Sequence, residues 1–296
     1  MTTLPMAGDA PPIFPHVAII GCGLIGGSLG LAVRARWPRS IVVAVDRKDV
    51  IEKAMPMGAA DVGGDDLAMA SGSDLIVLAA PVLTNNRILA ELADAVDGEA
   101  LVTDVGSTKR STIEAARGLP SRLRFVGGHP LAGAAVGGVE SARADLFRDR
   151  PWILTPTESA TPQDRSMLAA FVEGTGASVH FLDPDSHDAL LAAISHLPQI
   201  AVSALMEVVG ERAGADGLAL AGRGLRDTTR LASSPADIWL DIVATNADNV
   251  DAAIDALIGA LMRLRQDLRD SDGALERTFD AAAQWRRVLD SRLKQE

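Results

Sequence analysis

The sequence predicts an α/β fold, with a doubly wound parallel sheet in the N-terminal part and an all-helical C-terminal part. Three observations predict it. From Val17 to about Leu182, short apolar runs alternate with helix-like stretches, the pattern of a parallel sheet wrapped by helices. After Asp183-Pro184 the apolar residues recur at steps of three and four instead. The first apolar run also breaks directly into Gly21-x-Gly23-x-x-Gly26, a strand-to-helix turn of Rossmann type. The chain has 296 residues, enough for two domains, and the change of pattern divides it into residues 1–182 and 183–296.

The first strand, Val17 to Ile20, runs into a turn that asks for glycine three times. Gly21 makes the tight turn, Gly23 lets backbone approach a pyrophosphate, and Gly26 lets the next helix pack close, with Leu24 and Ile25 between them. The helix N-terminus then offers free N–H groups and a positive dipole end to phosphates. A second strand, Ile41 to Val45, ends in Asp46, twenty residues beyond Gly26, where an acid meets an adenosine ribose. An acid there favours NAD over NADP, while Arg47 and Lys48 leave NADP open. Further strands are expected at Leu75–Ala79, Leu101–Asp104, Arg124–Val126, Trp152–Leu154 and Ser178–Phe181. Several end in polar or glycine-rich turns: Ala80-Pro81, Asp104-Val105-Gly106-Ser107 and Gly127-Gly128-His129-Pro130. Ligands of open α/β sheets sit beyond the carboxyl ends of strands, so these turns should line one crevice.

In the helical part, Leu190, Ile194, Leu197, Ala201, Leu205 and Val208 form a stripe that Pro198 should kink and Gly210 and Gly214 should close. Val250, Ile254, Leu257, Leu261, Leu264 and Leu268 keep a near-heptad spacing, and a final helix is expected over Gly273 to Leu293. Such stripes pack a core or pair with their twin in a second subunit, so a homodimer joined through this part is expected.

Composition excludes several classes of function. There are 39 acidic against 28 basic residues, net −11, which argues against nucleic acid or an anionic membrane as partner. No apolar stretch is read as approaching the ~20 residues of a membrane span, and Met1 to Pro15 lacks the layout of a signal peptide. A soluble, cytoplasmic protein is expected. The single Cys22 forms no internal disulfide, and the five histidines include no HxxxH or CxxC pairing, so no metal site is expected.

Three polar clusters carry candidate chemistry: Asp104 to Lys109, Gly127 to Gly133, and Gly222 to Arg230 with its three arginines. Each alone is a helix cap, a loop histidine or a solvated turn. Together they supply what a nicotinamide enzyme needs, a proton acceptor near the hydride site and cations for an anionic substrate. His129 is the natural base and Arg230 the natural bidentate carboxylate clamp.

The stretches GCGLIGGS, DVGSTK, GGHPLAGAAVGGVESARADLF, PWILTP, ISHLP and GRGLRDTTRLASSPADIWLDI together resemble the prephenate/arogenate dehydrogenase family of tyrosine biosynthesis, in the family's order and over nearly the whole chain. The resemblance implies a Rossmann domain followed by a helical dimerisation domain, and NAD(P)-dependent oxidative decarboxylation of a cyclohexadienyl substrate. It makes His129 the catalytic histidine and Ser107 its orienting hydroxyl. Arg230 would grip a substrate carboxylate, His196 and Trp239 would line the pocket with His187 nearby, and Arg226 would lie close to cofactor and substrate. Ala80 and Pro81 would flank the cofactor, beside Gly106. The sequence departs from the family where S-H-L-P is followed by Gln199 instead of histidine and where H-P-x-x-G is followed by Ala134 instead of threonine. Both positions face the substrate side chain in the family, and losing the histidine leans towards arogenate.

The rivals are an amino-deoxyprephenate or 3-hydroxyacid dehydrogenase of similar plan and a non-catalytic dinucleotide sensor. A 3-hydroxyacid enzyme carries a catalytic lysine in its helical part, and residues 183–212 contain none. A sensor has no use for a histidine, a serine and an arginine in register.

Overall fold

The computed structural model describes residues 11–133, 137–271 and 273–293. Its N-terminal part runs β1 (His16–Ile20), α1 (Leu24–Arg36), β2 (Ile41–Val45), α2 (Lys48–Ala54), β3 (Val62–Gly64), β4 (Leu75–Leu78), α3 (Val82–Ala95), β5 (Ala100–Asp104), α4 (Arg110–Ala116), β6 (Leu123–Pro130), β7 (Pro151–Pro156), α5 (Pro162–Gly174) and β8 (Ser178–Phe181). The strands form one sheet in the order β3-β2-β1-β4-β5-β6-β7-β8, parallel at every pairing except the antiparallel β6·β7. Strand order reverses between β1 and β4, and that reversal opens a crevice at their carboxyl ends. β1, β4 and β5 are buried on both faces, which is why they read as continuous apolar runs. One apolar cluster centres on Ile19, Val77 and Phe171, and a second, on the other face, on Ile20, Ile76 and Phe125.

The helical part runs α6 (Pro184–Leu191), α7 (Leu197–Leu218), α8 (Arg223–Thr228), α9 (Ala236–Thr245), α10 (Ala247–Asp270) and α11 (Ala274–Leu293). Between α6 and α7 lies one π-helical turn, Ala192–His196. Pro198, near the start of α7, has no N–H to continue the ladder from α6, so the interruption expected at Pro198 takes the form of this turn. Gly214 breaks the helix with φ +62°, while Gly210 lies within it.

Three expectations are corrected. Gly127-Gly128-His129-Pro130 is the second half of strand β6, not a turn, and pairs with β7 through Gly128↔Leu154 and His129↔Ile153. The glycines make room for neighbours: a Cβ on Gly128 would lie 2.5 Å from the Asp104 carbonyl oxygen, and one on Gly127 would lie 3.2 Å from Lys109 Cδ. The edge strand β3, Val-Gly-Gly, went unpredicted, because glycine hides the strand signal where Ile51 and Met69 press on it. Finally, the run Pro184–Leu218 is long and apolar enough by composition to cross a membrane, with mean hydropathy 1.6 over its best window. Its polar members His187, Asp188, His196 and Gln199 are buried inside the protein, whereas Leu205 and Val208 are exposed.

Candidate active site

The cradle forms where β1 meets α1. Gly21 has φ +97°, a left-handed conformation that favours glycine, and a Cβ there would meet Ala79 and Ala80 backbone at 2.6 Å. Gly26 is buried, and its Cβ would lie 1.9 Å from the Gly21 carbonyl oxygen. A Cβ on Gly23, by contrast, would meet nothing within 4 Å. The turn is therefore glycine-lined on its open side, as a pyrophosphate requires. At the end of β2, Asp46 Oδ2 accepts from the Cys22 N–H at 2.6 Å and Oδ1 from the Arg47 N–H at 2.7 Å, fixing the acid against the cradle. The Arg47 guanidinium turns to Asp49, 3.2 Å away. Burial, followed by the charge of Asp46, pushes the Cys22 thiol up to about 11, so it stays protonated and inert at neutral pH.

Two cavities meet over this turn. One, of about 900 Å³, is lined by Gly21, Gly23, Asp46, Arg47, Ala80 and Pro81. The other, of about 480 Å³, is lined by Gly23, Leu24, Ile25, Ala80, Pro81, Gly106 and Ser107 and is closed on its far side by Pro235, Ile238, Asp241 and Ile242 of the helical part. Gly23, Ala80 and Pro81 belong to both, so the space is continuous across the cradle.

Behind the second cavity the carboxyl ends of β5 and β6 are tied together. Asp104 Oδ2 accepts from the Gly106 N–H at 2.8 Å and from the Lys109 ammonium, and Oδ1 accepts from the Gly128 N–H at 3.0 Å. Both side chains of this ion pair are fully buried. Burial depresses the Lys109 pKa against the opposing pull of Asp104. Removing one partner of such a pair strands the other charge, which makes the pair a strict structural requirement. Sequence reasoning singled out the cluster but not Asp104 or Lys109 as its anchor; the carboxylate and ammonium five residues apart were the available signal.

His129 lies next to this tie, 8% exposed. Its hydrogen-bond partner is a correction to the expectation: His129 Nδ1 lies 2.9 Å from His187 Nε2, and Ser107 instead lines the cavity, half-buried. His187 Nδ1 lies 2.7 Å from Asp188 Oδ1. Asp188 also accepts from the backbone N–H of Lys109 at 2.7 Å and of Arg110 at 3.0 Å, and from Arg110 Nε at 3.3 Å. The Asp188 carbonyl accepts from Asn246 Nδ2, which is 3.3 Å from His196 Nδ1, and His196 meets Trp239 edge-on at 6.2 Å. Burial, followed by the neighbouring His187 and Lys109, holds His129 well below the ordinary histidine pKa. Burial likewise lowers His187, and it brings His196 to about 4. Asp188 is held below the usual carboxylate range because hydrogen bonds from His187, Arg110 and Lys109 outweigh its burial. The cluster presents a neutral, buried imidazole at neutral pH, the form a general base requires.

The remaining candidates are less gathered. Gln199 is buried, donating to the Leu231 carbonyl at 2.9 Å and accepting from the Ser234 hydroxyl at 3.2 Å, so it fixes the 3₁₀ turn Arg230–Ser233. Arg230 and Arg226 are exposed, and neither lines the cavity beside Ser107. Trp239 is half-buried. Ala134 lies outside the described residues. Among the described residues no group of three or more His, Cys, Asp or Glu side chains could hold a metal ion.

A glycine-lined turn at the switch point of a doubly wound sheet, with a buried neutral histidine at the carboxyl end of β6 and a helical second part, defines the class of dinucleotide-dependent oxidoreductases. The chain belongs to the prephenate dehydrogenase family. Residues 29–181 match the family model "Prephenate dehydrogenase, nucleotide-binding domain" and residues 183–280 match "Prephenate dehydrogenase, dimerization domain". The chain is 33% identical over 285 residues to the prephenate dehydrogenase of Bacillus subtilis, covering 94% of this chain and 77% of that one. It superimposes on a crystal structure of Aquifex aeolicus prephenate dehydrogenase in complex with hydroxyphenyl propionate and NAD+ with a TM-score of 0.85 and 28% identity, covering 97% and 100% of the two chains. The corresponding values for Synechocystis arogenate dehydrogenase are 0.79 and 28%, covering 93% and 99%.

Proposed function

We propose that this protein is an NAD-dependent prephenate or arogenate dehydrogenase, and that His129 is its general base. The observation that carries the reading is the neutral imidazole of His129, buried at the end of β6 and bonded to His187, in a fold whose glycine cradle opens onto a cavity lined by Ser107. The open side of Gly23 and the anchored carboxylate of Asp46 fit a dinucleotide, with Gly21, Leu24, Ile25, Gly26, Arg47, Ala80, Pro81 and Gly106 completing its seat. Asp46 favours NAD; Arg47, paired with Asp49, leaves NADP as the second candidate. When bound, the nicotinamide supplies the hydride acceptor.

The substrate is a cyclohexadiene with a hydroxyl and a hydrogen on one ring carbon and a carboxylate on the carbon opposite. His129 accepts the hydroxyl proton as the ring carbon is oxidised, and loss of carbon dioxide leaves an aromatic ring. Ser107 borders the reacting face, and His196, Trp239 and Gln199 lie towards the substrate; the resemblance alone assigns Ala134 to the same group. Arg230 grips a carboxylate, with Arg226 close by. The division falls at residues 182 and 183, and the protein works as a homodimer joined through its helical part, which leaves Leu261, Met262, Leu268, Phe279 and Trp285 exposed in one chain. A cytoplasmic location accompanies a soluble cofactor.

The test follows NADH or NADPH absorbance with prephenate and arogenate, each with NAD and NADP. A slope is expected with NAD and at least one substrate, and no slope in all four mixtures overturns the reading. His129→Asn is expected to lower kcat by about 10²–10⁴-fold with NAD affinity kept.

A further inference from the structure

We propose that His187 and Asp188 are positioning residues that fix His129 in one tautomer, protonated at Nδ1, so that Nε2 is the nitrogen that takes the substrate proton. This rests on the reading of His129 as the base. Asp188 faces donors on both oxygens: the backbone N–H of Lys109 on Oδ1, and the backbone N–H and Nε of Arg110 on Oδ2. Backbone N–H groups only donate, so the site is built for an ionised carboxylate. His187 Nδ1, 2.7 Å from Oδ1, must then carry a proton, because a lone pair there would face a lone pair.

In neutral His187, Nε2 is consequently the unprotonated nitrogen, and it lies 2.9 Å from His129 Nδ1. That nitrogen must be the donor, which leaves the lone pair of His129 on Nε2. The competing state, a doubly protonated His187, would reverse the bond and cap Nε2 of His129 with a proton. Burial is the main force against it. Burial first and then Lys109 weigh against a second positive charge, while Asp188 and Asp104 pull the other way, and the balance leaves His187 below its ordinary pKa. His196 lies beside the same cluster and is itself neutral at pH 7.

The arrangement also accommodates the proton after transfer. When Nε2 of His129 gains it, the Nδ1–H bond to His187 Nε2 becomes charge-assisted, and Asp188 faces the positive charge from the far end of the line. His187 and Asp188 sit on α6 of the helical part, whereas His129, Lys109 and Arg110 belong to the sheet part. The protonation pattern of the base is thus set from across the boundary between the two parts.

The test is a long-range ¹H–¹⁵N correlation spectrum of the uniformly labelled full-length protein without substrate, with the His129 signals assigned by their loss in His129→Asn. The expected pattern at neutral pH is a protonated Nδ1 and a lone-pair Nε2 on His129. His187→Gln keeps an acceptor near the position of Nε2 and should retain that pattern. His187→Leu removes the acceptor and should shift His129 towards the Nε2–H form, with kcat lower by about 10²-fold or more at unchanged KM and unchanged NAD affinity. A wild-type His129 protonated at Nε2, or a His187→Leu enzyme with full kcat, overturns the proposal. So does an equal fall in kcat and rise in KM in both variants, the mark of a merely structural role. If His187→Leu does not fold, the wild-type and His187→Gln spectra decide. An active His129→Asn enzyme would instead sink the base assignment, whatever the spectra show.

Discussion

The sheet part and the helical part of this molecule are equally apolar in sequence but differ in how they dispose of it. The sheet is covered on both faces by its own helices, and its strands β4 and β5 are buried from end to end. Among the described residues the helical part contributes Leu191, Ala192, Ile242, Val250 and Ala274 to the buried apolar set, while Leu240, Leu261, Leu268, Phe279 and Trp285 stay more than half exposed. One part completes its core within a single chain. The other presents stripes that only a second surface can cover. The polar cluster around Asp188 lies where the two meet, between a self-sufficient scaffold and a part whose apolar stripes one chain leaves uncovered.

The widest separation should come from matched truncations. Leu75→Ala, at a fully buried position, is expected to cost about 2–5 kcal/mol at any protein concentration. Leu261→Ala should cost under about 0.5 kcal/mol in the separated chain and more in the dimer. Chemical denaturation at two concentrations checks both, and equal, concentration-independent costs would break the contrast.

Next in size is the pH response of the cluster. His196 is neutral in the folded protein down to about pH 4, whereas an unfolded histidine takes its proton near 6.5. The unfolded state therefore binds more protons between those values, and stability is expected to fall as pH drops from about 6.5 to 4, by up to about 3 kcal/mol for this residue. His129 and His187, also lowered, act in the same direction. Asp248, lowered to about 2 chiefly by its hydrogen bond from Arg110, contributes in a lower window, from the unfolded range near 4 down to 2. Melting temperature against pH should show the upper step shrink in His196→Asn, and an unchanged curve would remove His196 from it.

A charge placed on the helical stripe should act on assembly alone. Leu261→Asp is expected to weaken the dimer by about 100-fold in Kd, leaving the sheet folded, as read by light scattering and circular dichroism. A wild-type monomer would dissolve the comparison. The smallest effect is on the sheet side: Gly23→Ala, with an open Cβ position, should leave the melting temperature nearly unchanged and weaken NAD binding about 10-fold by calorimetry. Gly26→Ala, whose Cβ would lie 1.9 Å from the Gly21 oxygen, should destabilise the fold itself.

The strands and their order along the chain were legible because burial on both faces writes itself as an apolar run, and the cradle because three glycines at fixed spacing answer three local steric demands. The end of β6 was misread for a related reason. Its glycines answer to Asp104 and Lys109, which are distant in sequence, and from the chain alone they look like a turn. His129 was picked out from its motif, but its partner was not, because Ser107 and His187 are equally plausible until the elements are placed.

By itself, then, the sequence determined what depends on near neighbours: the alternation of elements, the glycine turn, the acid after β2, and the stripe of exposed leucines. The tertiary structure decided which imidazole faces His129 and which carboxylate faces that imidazole in turn. His129 and His187 are 58 positions apart, with two whole strands and a helix between them, and only their packing brings the two nitrogens within 2.9 Å. A hydrogen bond needs that closeness and that direction, and no local pattern of residues encodes either.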